Sequence, residues 1–415
     1  MQLLEEYKSD MRKLKTLLER DVDYRTVAAI LAQSQYILKD YPDERKYCFA
    51  YSDFVKKMAL REYAQTLKPQ WDEMYWQAML WEAPMLLDSY CLYIEKNRKP
   101  QERFYQPRRK TLKKVVDKLQ ALEDDELDEL FIHMPARVGK SQIITLGTSW
   151  HCGRDTEKSN LYVTYKEGLG GAFLDGVMEI WTDPTYCHND VFHHKVARTD
   201  AKNHKVDLER KKKYATLSGK GLESGLNGEY DAYGWLILDD ILEGIQDVLN
   251  PDILRRKQIV FDNNVMMRKK EQCKLILNGT IWSLHDLYMD RLNFLQSNPE
   301  AQKIRYDILK IPALEPVTDE SNFDYEYGVG FTTQYYRTVR AKFEENDDMA
   351  GWLAQCQQEP IERDGALFKS EHMNFYNGVL PNEEPLKVVS ACEPAICGMV
   401  YLSMSVPFLL LAVFV

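Results

Sequence analysis

The chain has 415 residues, 45% of them hydrophobic and 28% charged, and its 54 Lys and Arg against 64 Asp and Glu give a formal charge of −10. That balance is ordinary for a globular protein long enough for two or three domains, and it excludes collagen, low-complexity disorder and a disulfide mini-scaffold. The acidic total also excludes a histone-like coat of positive charge, although a local basic channel can still hold a polyanion.

The N-terminal stretch MQLLEEYKSDMRKLK scatters charge through its apolar positions, so it has no apolar core of the signal-peptide kind and secretion is not expected. The eight cysteines are dispersed, and no pair has the CxxC spacing of zinc or redox sites; a reducing cytosol is the expected compartment. No glycine occurs before Gly139, which removes the easiest source of left-handed turns. With Leu4, Tyr7, Met11, Leu14 and Leu18 at helical spacing, followed by Val27, Ile30 and Leu31 and then Met58 and Tyr63, residues 1–100 are expected to form a helical region. Asn97 to Gln101 reads as a linker, and Thr111 to Leu122 as a helix ending in the acidic turn Glu123-Asp124-Asp125.

From about Leu130 the pattern changes to short apolar runs between helical stretches. Leu130–His133, Leu161–Thr164, Trp235–Leu238 and Lys274–Leu277 are expected to be buried strands of a mostly parallel sheet in an α/β domain over 101–310. The first of these leads into Met134-Pro135-Ala136-Arg137-Val138-Gly139-Lys140-Ser141 and the apolar helix Gln142 to Trp150. A phosphate-binding loop needs backbone N–H groups at a helix N-terminus, a lysine for the β/γ-phosphates and a hydroxyl for Mg²⁺, and Gly139-Lys140-Ser141 can supply all three. Met134 replaces the first glycine of the GxxxxGK(S/T) pattern. A GKS tripeptide also arises by chance; its place between strand and helix is what gives it weight.

The third strand ends in Asp239-Asp240, where one acid can hold Mg²⁺ and its neighbour can activate the attacking water. The alternative is that the pair merely caps a following helix, Ile241 to Gln246. The fourth strand runs into Asn278-Gly279-Thr280, and a threonine at that sheet edge can sense a γ-phosphate, although a plain strand-to-helix turn would look the same. Two further features are read as surface: Cys187-His188 with His193-His194, which lack paired ligand spacing, and Arg210-Lys211-Lys212-Lys213, a solvated face that could also touch DNA phosphates.

Taken in order, MPARVGKSQ, SNLYVTY, GLNGEYDAYGWLILDD and LILNGTIWSLHDL resemble the large terminase subunit of tailed bacteriophages, the ATP-driven motor that packages double-stranded DNA into proheads. Phe104-Tyr105-Gln106-Pro107-Arg108-Arg109 is similar to the family's adenine-contacting segment, and Gln355 to Lys369 to its interdomain segment, so the likeness spans about residues 100–395. The resemblance implies an α/β fold of P-loop NTPase type, preceded by the helical region and followed, after a linker over 311–385, by an incomplete RNase H-like domain over 386–415. It places nucleotide binding on Gln106, Arg137, Val138, Gly139, Lys140, Ser141 and Gln142, with Gln106 on the adenine. Catalysis falls on Asp240, Arg137 and Thr280, the last on the motif coupling hydrolysis to movement, and Mg²⁺ on Ser141 and Asp239. ATP and Mg²⁺ are the implied cofactors. Double-stranded DNA, a portal protein, a small terminase subunit and further copies in a ring on the prohead are the implied partners, in host cytoplasm. The alternative is a non-catalytic remnant that docks on portal or small terminase without pumping.

Leu386 to Ala395 is similar to the first strand of the family's nuclease, with Glu393 where an Asp usually stands, and no acid follows it. One carboxylate cannot build a two-metal site, so cleavage by this chain is not expected. The uncharged run Gly398 to Val415 reads as the stump of a nuclease core or, alternatively, as a short membrane segment.

Overall fold

The computed structural model describes residues 2–225 and 230–361. Glu393, the strand expected around it and the run 398–415 lie outside the described residues. So does everything after Ile361 in the segment similar to the interdomain region.

As the glycine-free composition requires, the N-terminal region is helical: α1 (Gln2–Leu18), α2 (Tyr24–Asp40), α3 (Arg45–Thr66), α4 (Pro69–Glu82) and α5 (Leu87–Ile94). α1 to α4 close around Met11, Val27, Ile30, Ile37, Val55, Trp71 and Met74. α5 belongs to a different core, where Leu87, Tyr90 and Ile94 pack with the helices over the sheet. Without glycine, α3 ends on Leu67 in the left-handed region at φ 54°, a conformation that costs an L-residue about 1 kcal/mol.

α6 (Tyr105–Glu123) starts six residues before the expected Thr111. The reason is Glu95, whose buried carboxylate accepts the Phe104 and Tyr105 N–H groups at 2.9 Å each, so a side chain from outside the helix satisfies its first donors. Pro107 in the first turn costs nothing there, because that N–H has no helical partner.

The centre of the fold is an eight-stranded sheet in the order β3-β4-β5-β2-β6-β7-β1-β8. Its strands are β1 (Glu129–His133), β2 (Asn160–Thr164), β3 (Val196–Asp200), β4 (Lys205–Leu208), β5 (Leu217–Gly221), β6 (Trp235–Asp239), β7 (Lys274–Gly279) and β8 (Tyr306–Lys310). The run from β5 to β8 is parallel throughout, and the β3–β4 hairpin adds an antiparallel edge. Helices cover both faces, which is why the inner strands read as unbroken apolar runs. Leu130, Ile132, Ile237 and Ile276 face α6, α7 (Lys140–Arg154) and α8 (Glu167–Thr182). Their strand neighbours Phe131, Leu236, Leu238, Leu275 and Leu277 face Phe261, Val265 and the helix Leu287–Ser297. The α/β class and the mostly parallel sheet therefore follow the sequence. The segment after β8 packs on the first of these cores through Ile311, Leu314, Phe323, Tyr336 and Trp352.

β5 reads LSGKG and carries no strand signal, because its glycines serve a different constraint. A Cβ on Gly219 would run into the Gly170 backbone, and one on Gly170 would lie 2.7 Å from the Lys220 nitrogen. α8 thus lies backbone to backbone on the strand.

At the sheet edge away from the β1–α7 loop, α7 is anchored by ions. Mostly buried Glu123, at the end of α6, accepts from His151 Nδ1 at 2.6 Å and pairs with Arg154 at 3.2 Å. The His151 ring stacks on Trp235 with centroids 4.4 Å apart. Burial acts against the Glu123 carboxylate, but His151 and Arg154 outweigh it and hold its pKa below the ordinary value. A depressed carboxylate stabilises the fold above its unfolded pKa, and that contribution is lost as pH falls through the folded one. Glu123→Gln should therefore lower stability near pH 7 by roughly 1–3 kcal/mol, with the gap to wild type closing below about pH 4, as measured by urea unfolding across pH. A gap independent of pH would show that the pair contributes nothing electrostatic.

Candidate functional site

Three strand ends meet at one edge of the sheet. β7 lies between β1 and β6, so the loop after β1, the acids after β6 and the threonine after β7 converge where ligands of open α/β sheets bind.

The loop after β1 curls tightly, with Arg137 at φ 65° and Gly139 at φ 99°, onto the N-terminus of α7. Such left-handed turns bring successive N–H groups to one side, and the helix dipole adds positive potential there. Gly139 is fixed by packing as well as by φ, since a Cβ would lie 2.8 Å from the Phe104 ring. Met134, standing where the usual first glycine would be, is fully buried, and its carbonyl accepts from Thr280 Oγ1 at 3.3 Å. The larger side chain is accommodated by turning it under the loop.

Lys140 is the junction of the three strands. Its side chain is 3% exposed, and Nζ donates to Asp240 Oδ1 at 2.9 Å and to Thr280 Oγ1 at 3.0 Å. Asp240 is itself left-handed at φ 43°, and its carboxylate, unlike the lysine, remains 43% exposed. Asp239 is buried: Oδ2 accepts from the Tyr162 hydroxyl and Oδ1 from Asn278 Nδ2, both at 2.7 Å, and the Ser141 hydroxyl bonds to the same carboxyl group. Burial first and the charge on Asp240 second hold the Asp239 pKa above the ordinary carboxylate range. Neither aspartate caps a helix. The helix expected over Ile241–Gln246 is absent; a loop leads to the short helix Ile245–Val248, because both carboxylates are engaged inside the site.

The structure thus brings Val138, Gly139, Lys140, Ser141, Asp239, Asp240 and Thr280 into one cluster. Arg137 is exposed on the loop, and Gln142 is half-buried in the first turn of α7. Gln106 is exposed at the start of α6, and its side-chain oxygen accepts from Arg103 rather than from the loop.

Sequence reasoning missed the supports. Tyr162 reads as a core strand residue, yet its hydroxyl fixes Asp239. Asn278, just before the noted Gly279-Thr280, fixes the other oxygen. The Tyr288 hydroxyl donates to the Asn278 carbonyl at 3.0 Å and accepts from Ile241 N–H at 3.2 Å, and it fills the space a Cβ on Gly279 would need. Gln358 is buried and accepts from Ile281 N–H at 3.3 Å, bringing the segment after β8 to the end of β7. Only an acidic or hydroxyl residue at a strand end gives a signal in one sequence; residues that orient it do not.

The donor set suits Mg²⁺. Ser141 and Asp239 share a hydrogen bond, the two aspartates repel one another, and the buried Asn278 Oδ1 has no hydrogen-bond partner. A cation would relieve the repulsion between the aspartates and give the orphan oxygen a partner. Among the described residues no group of three or more His, Cys, Asp or Glu could hold a metal.

The features read as surface resolve differently. His188 is buried, with Nδ1 2.7 Å from the Tyr90 hydroxyl and Nε2 3.1 Å from His194 Nε2, a packed polar cluster. In the basic run, Arg210 pairs with Glu157, and the mostly buried Lys212 donates to the Thr156 carbonyl and Thr216 Oγ1, while Lys211 and Lys213 are exposed. Half of the run therefore ties the segment between β4 and β5 to the turn before β2. Among the described residues no helix is long and apolar enough to cross a membrane. No family model matches the chain, and no curated protein matches it.

A buried acid whose pKa is raised destabilises the fold as pH climbs from its unfolded to its folded pKa. Asp239→Asn should therefore melt higher than wild type at neutral pH, with the advantage vanishing toward pH 4. Thermal melts across pH check this; a lower melting point at pH 7 would show that the carboxylate is needed for folding.

Proposed function

We propose that the chain hydrolyses ATP with Mg²⁺ and uses the energy to drive double-stranded DNA into proheads, as a large terminase subunit working in a ring with the portal and small subunit. The observation that carries the ATPase part is Lys140 Nζ held between Asp240 and Thr280. The motif order similar to that family supports the DNA part. The proposal covers translocation and not DNA cleavage.

In this reading the N–H groups from Arg137 to Ser141, with Lys140, take the β/γ-phosphates, and Gln106 lies on the adenine side. Ser141 and Asp239 would hold Mg²⁺, which when bound offsets the charge of the phosphate chain. Asp240 accepts the proton of the attacking water. Without nucleotide its carboxylate is paired with Lys140, and an incoming phosphate would draw the lysine away and free the carboxylate to act. Thr280, bonded to Lys140, senses the same event at the end of β7.

Lys140→Ala should weaken ATP binding strongly. Asp240→Asn should bind ATP at least as well as wild type, because Lys140 loses a competing partner, yet turn over roughly 10²–10⁴-fold more slowly. Nucleotide titration and phosphate release separate the two effects, and equal turnover in wild type and Asp240→Asn would remove the assigned role of Asp240. Binding to unrelated DNA duplexes should be similar and weaken steeply with salt; absence of DNA binding in gel shifts would favour the docking remnant.

A further inference from the structure

Arg108 lies one turn into α6, beside the phosphate loop. Its Cδ is 3.8 Å from where a Cβ on Gly139 would stand, and its guanidinium lies 4.8 Å over the Phe104 ring that packs on that same glycine. The opposite neighbour is Tyr325, with its ring centroid 5.9 Å away. One guanidinium N–H donates to the Phe104 carbonyl at 2.9 Å. No described carboxylate pairs with it. The acid whose field reaches it, Glu95, spends both oxygens on the Phe104 and Tyr105 N–H groups.

The contrast with neighbouring arginines is informative. Arg109, the next residue, is locked bidentately on Asp88 at 2.9 and 2.7 Å, and Arg103 donates to the carbonyls of Arg98 and Lys96 and to Gln106. Those two are structural. Arg108 is half-buried, its desolvation is opposed by aromatic faces, one carbonyl and the more distant Glu95 charge, and a single carbonyl takes one of its five donors. A guanidinium in that condition beside N–H groups that converge at a helix N-terminus matches the paired oxygens of a phosphate chain.

We infer that Arg108 is a second cation of the nucleotide site, holding phosphate oxygens of a nucleoside triphosphate from the α6 side while Lys140 holds them from the loop side. This rests on the proposed ATPase function. Phe104 and Tyr325 place aromatic rings within 4.8 and 5.9 Å of the guanidinium, so the segment after β8 contributes to its surroundings through Tyr325.

ATP titration of the full chain at several salt concentrations tests this, with Arg108→Gln, Arg108→Lys and Lys140→Ala as variants. Arg108→Gln should weaken ATP binding roughly ten- to hundredfold, flatten the dependence of Kd on salt because one screened charge contact is gone, and leave the melting temperature without nucleotide close to wild type. Arg108→Lys, which keeps charge but not the fork, should fall between. If Arg108→Gln does not fold, Arg108→Lys decides, and wild-type affinity in it overturns the inference. Arg108→Gln with wild-type affinity, or with reduced affinity but an unchanged salt dependence, likewise overturns it, the latter returning Arg108 to a packing role. Weakening in Lys140→Ala alongside either result keeps the ATPase reading intact; wild-type protein that binds no ATP overturns both.

Discussion

The candidate site is organised around one ammonium group. Lys140 Nζ joins the N-terminus of α7, the acid after β6 and the threonine after β7, and it is buried while its acidic partner reaches solvent. A desolvated lysine is costly unless a partner compensates it. Asp240 can compensate because β7 alone separates β6 from β1 in the sheet. In the proposed ATPase reading, an incoming phosphate would compete with Asp240 for the lysine.

That arrangement needs a rigid platform. Both faces of the inner strands are covered, and α7 is tied at its far end by Glu123, His151 and Arg154. The site can therefore hold two adjacent aspartates, one with a raised pKa and one with left-handed backbone, because neither strand can move to relax them. Burial of Asp239 is unfavourable in isolation, and the tyrosine, asparagine and serine around it are what allow it to persist there.

What could be read from sequence follows from where the physics is local. The four central strands were legible because double-sided burial forces unbroken apolar runs, and the loop-to-helix motif because Gly139, Lys140 and Ser141 sit side by side in the chain. β3, β4, β5 and β8 were not: three lie at or near the sheet edges, and β5 replaces side chains with glycine so that α8 can approach. The start of α6 was hidden because its cap, Glu95, lies outside the helix and ten residues before Tyr105. Asp239-Asp240 could be read equally as a helix cap, and only the distances to Tyr162, Asn278 and Lys140 decide between the alternatives.

The same distances change how the N-terminal region is understood. α5 packs in the core above the sheet, Glu95 just after it caps α6, and Phe104 at that cap lies on Gly139. Gln358, on the opposite side in sequence, bonds to the residue after Thr280. The loop after β1 is thus touched from upstream and the end of β7 from downstream, each by a residue far away in the chain. A change in the Lys140 environment has a direct packing path in both directions, through an aromatic ring to the helical region and through a buried amide to the segment that follows the sheet. Coupling of this kind requires no separate relay, because the residues that shape the site are themselves the contacts to the flanking segments.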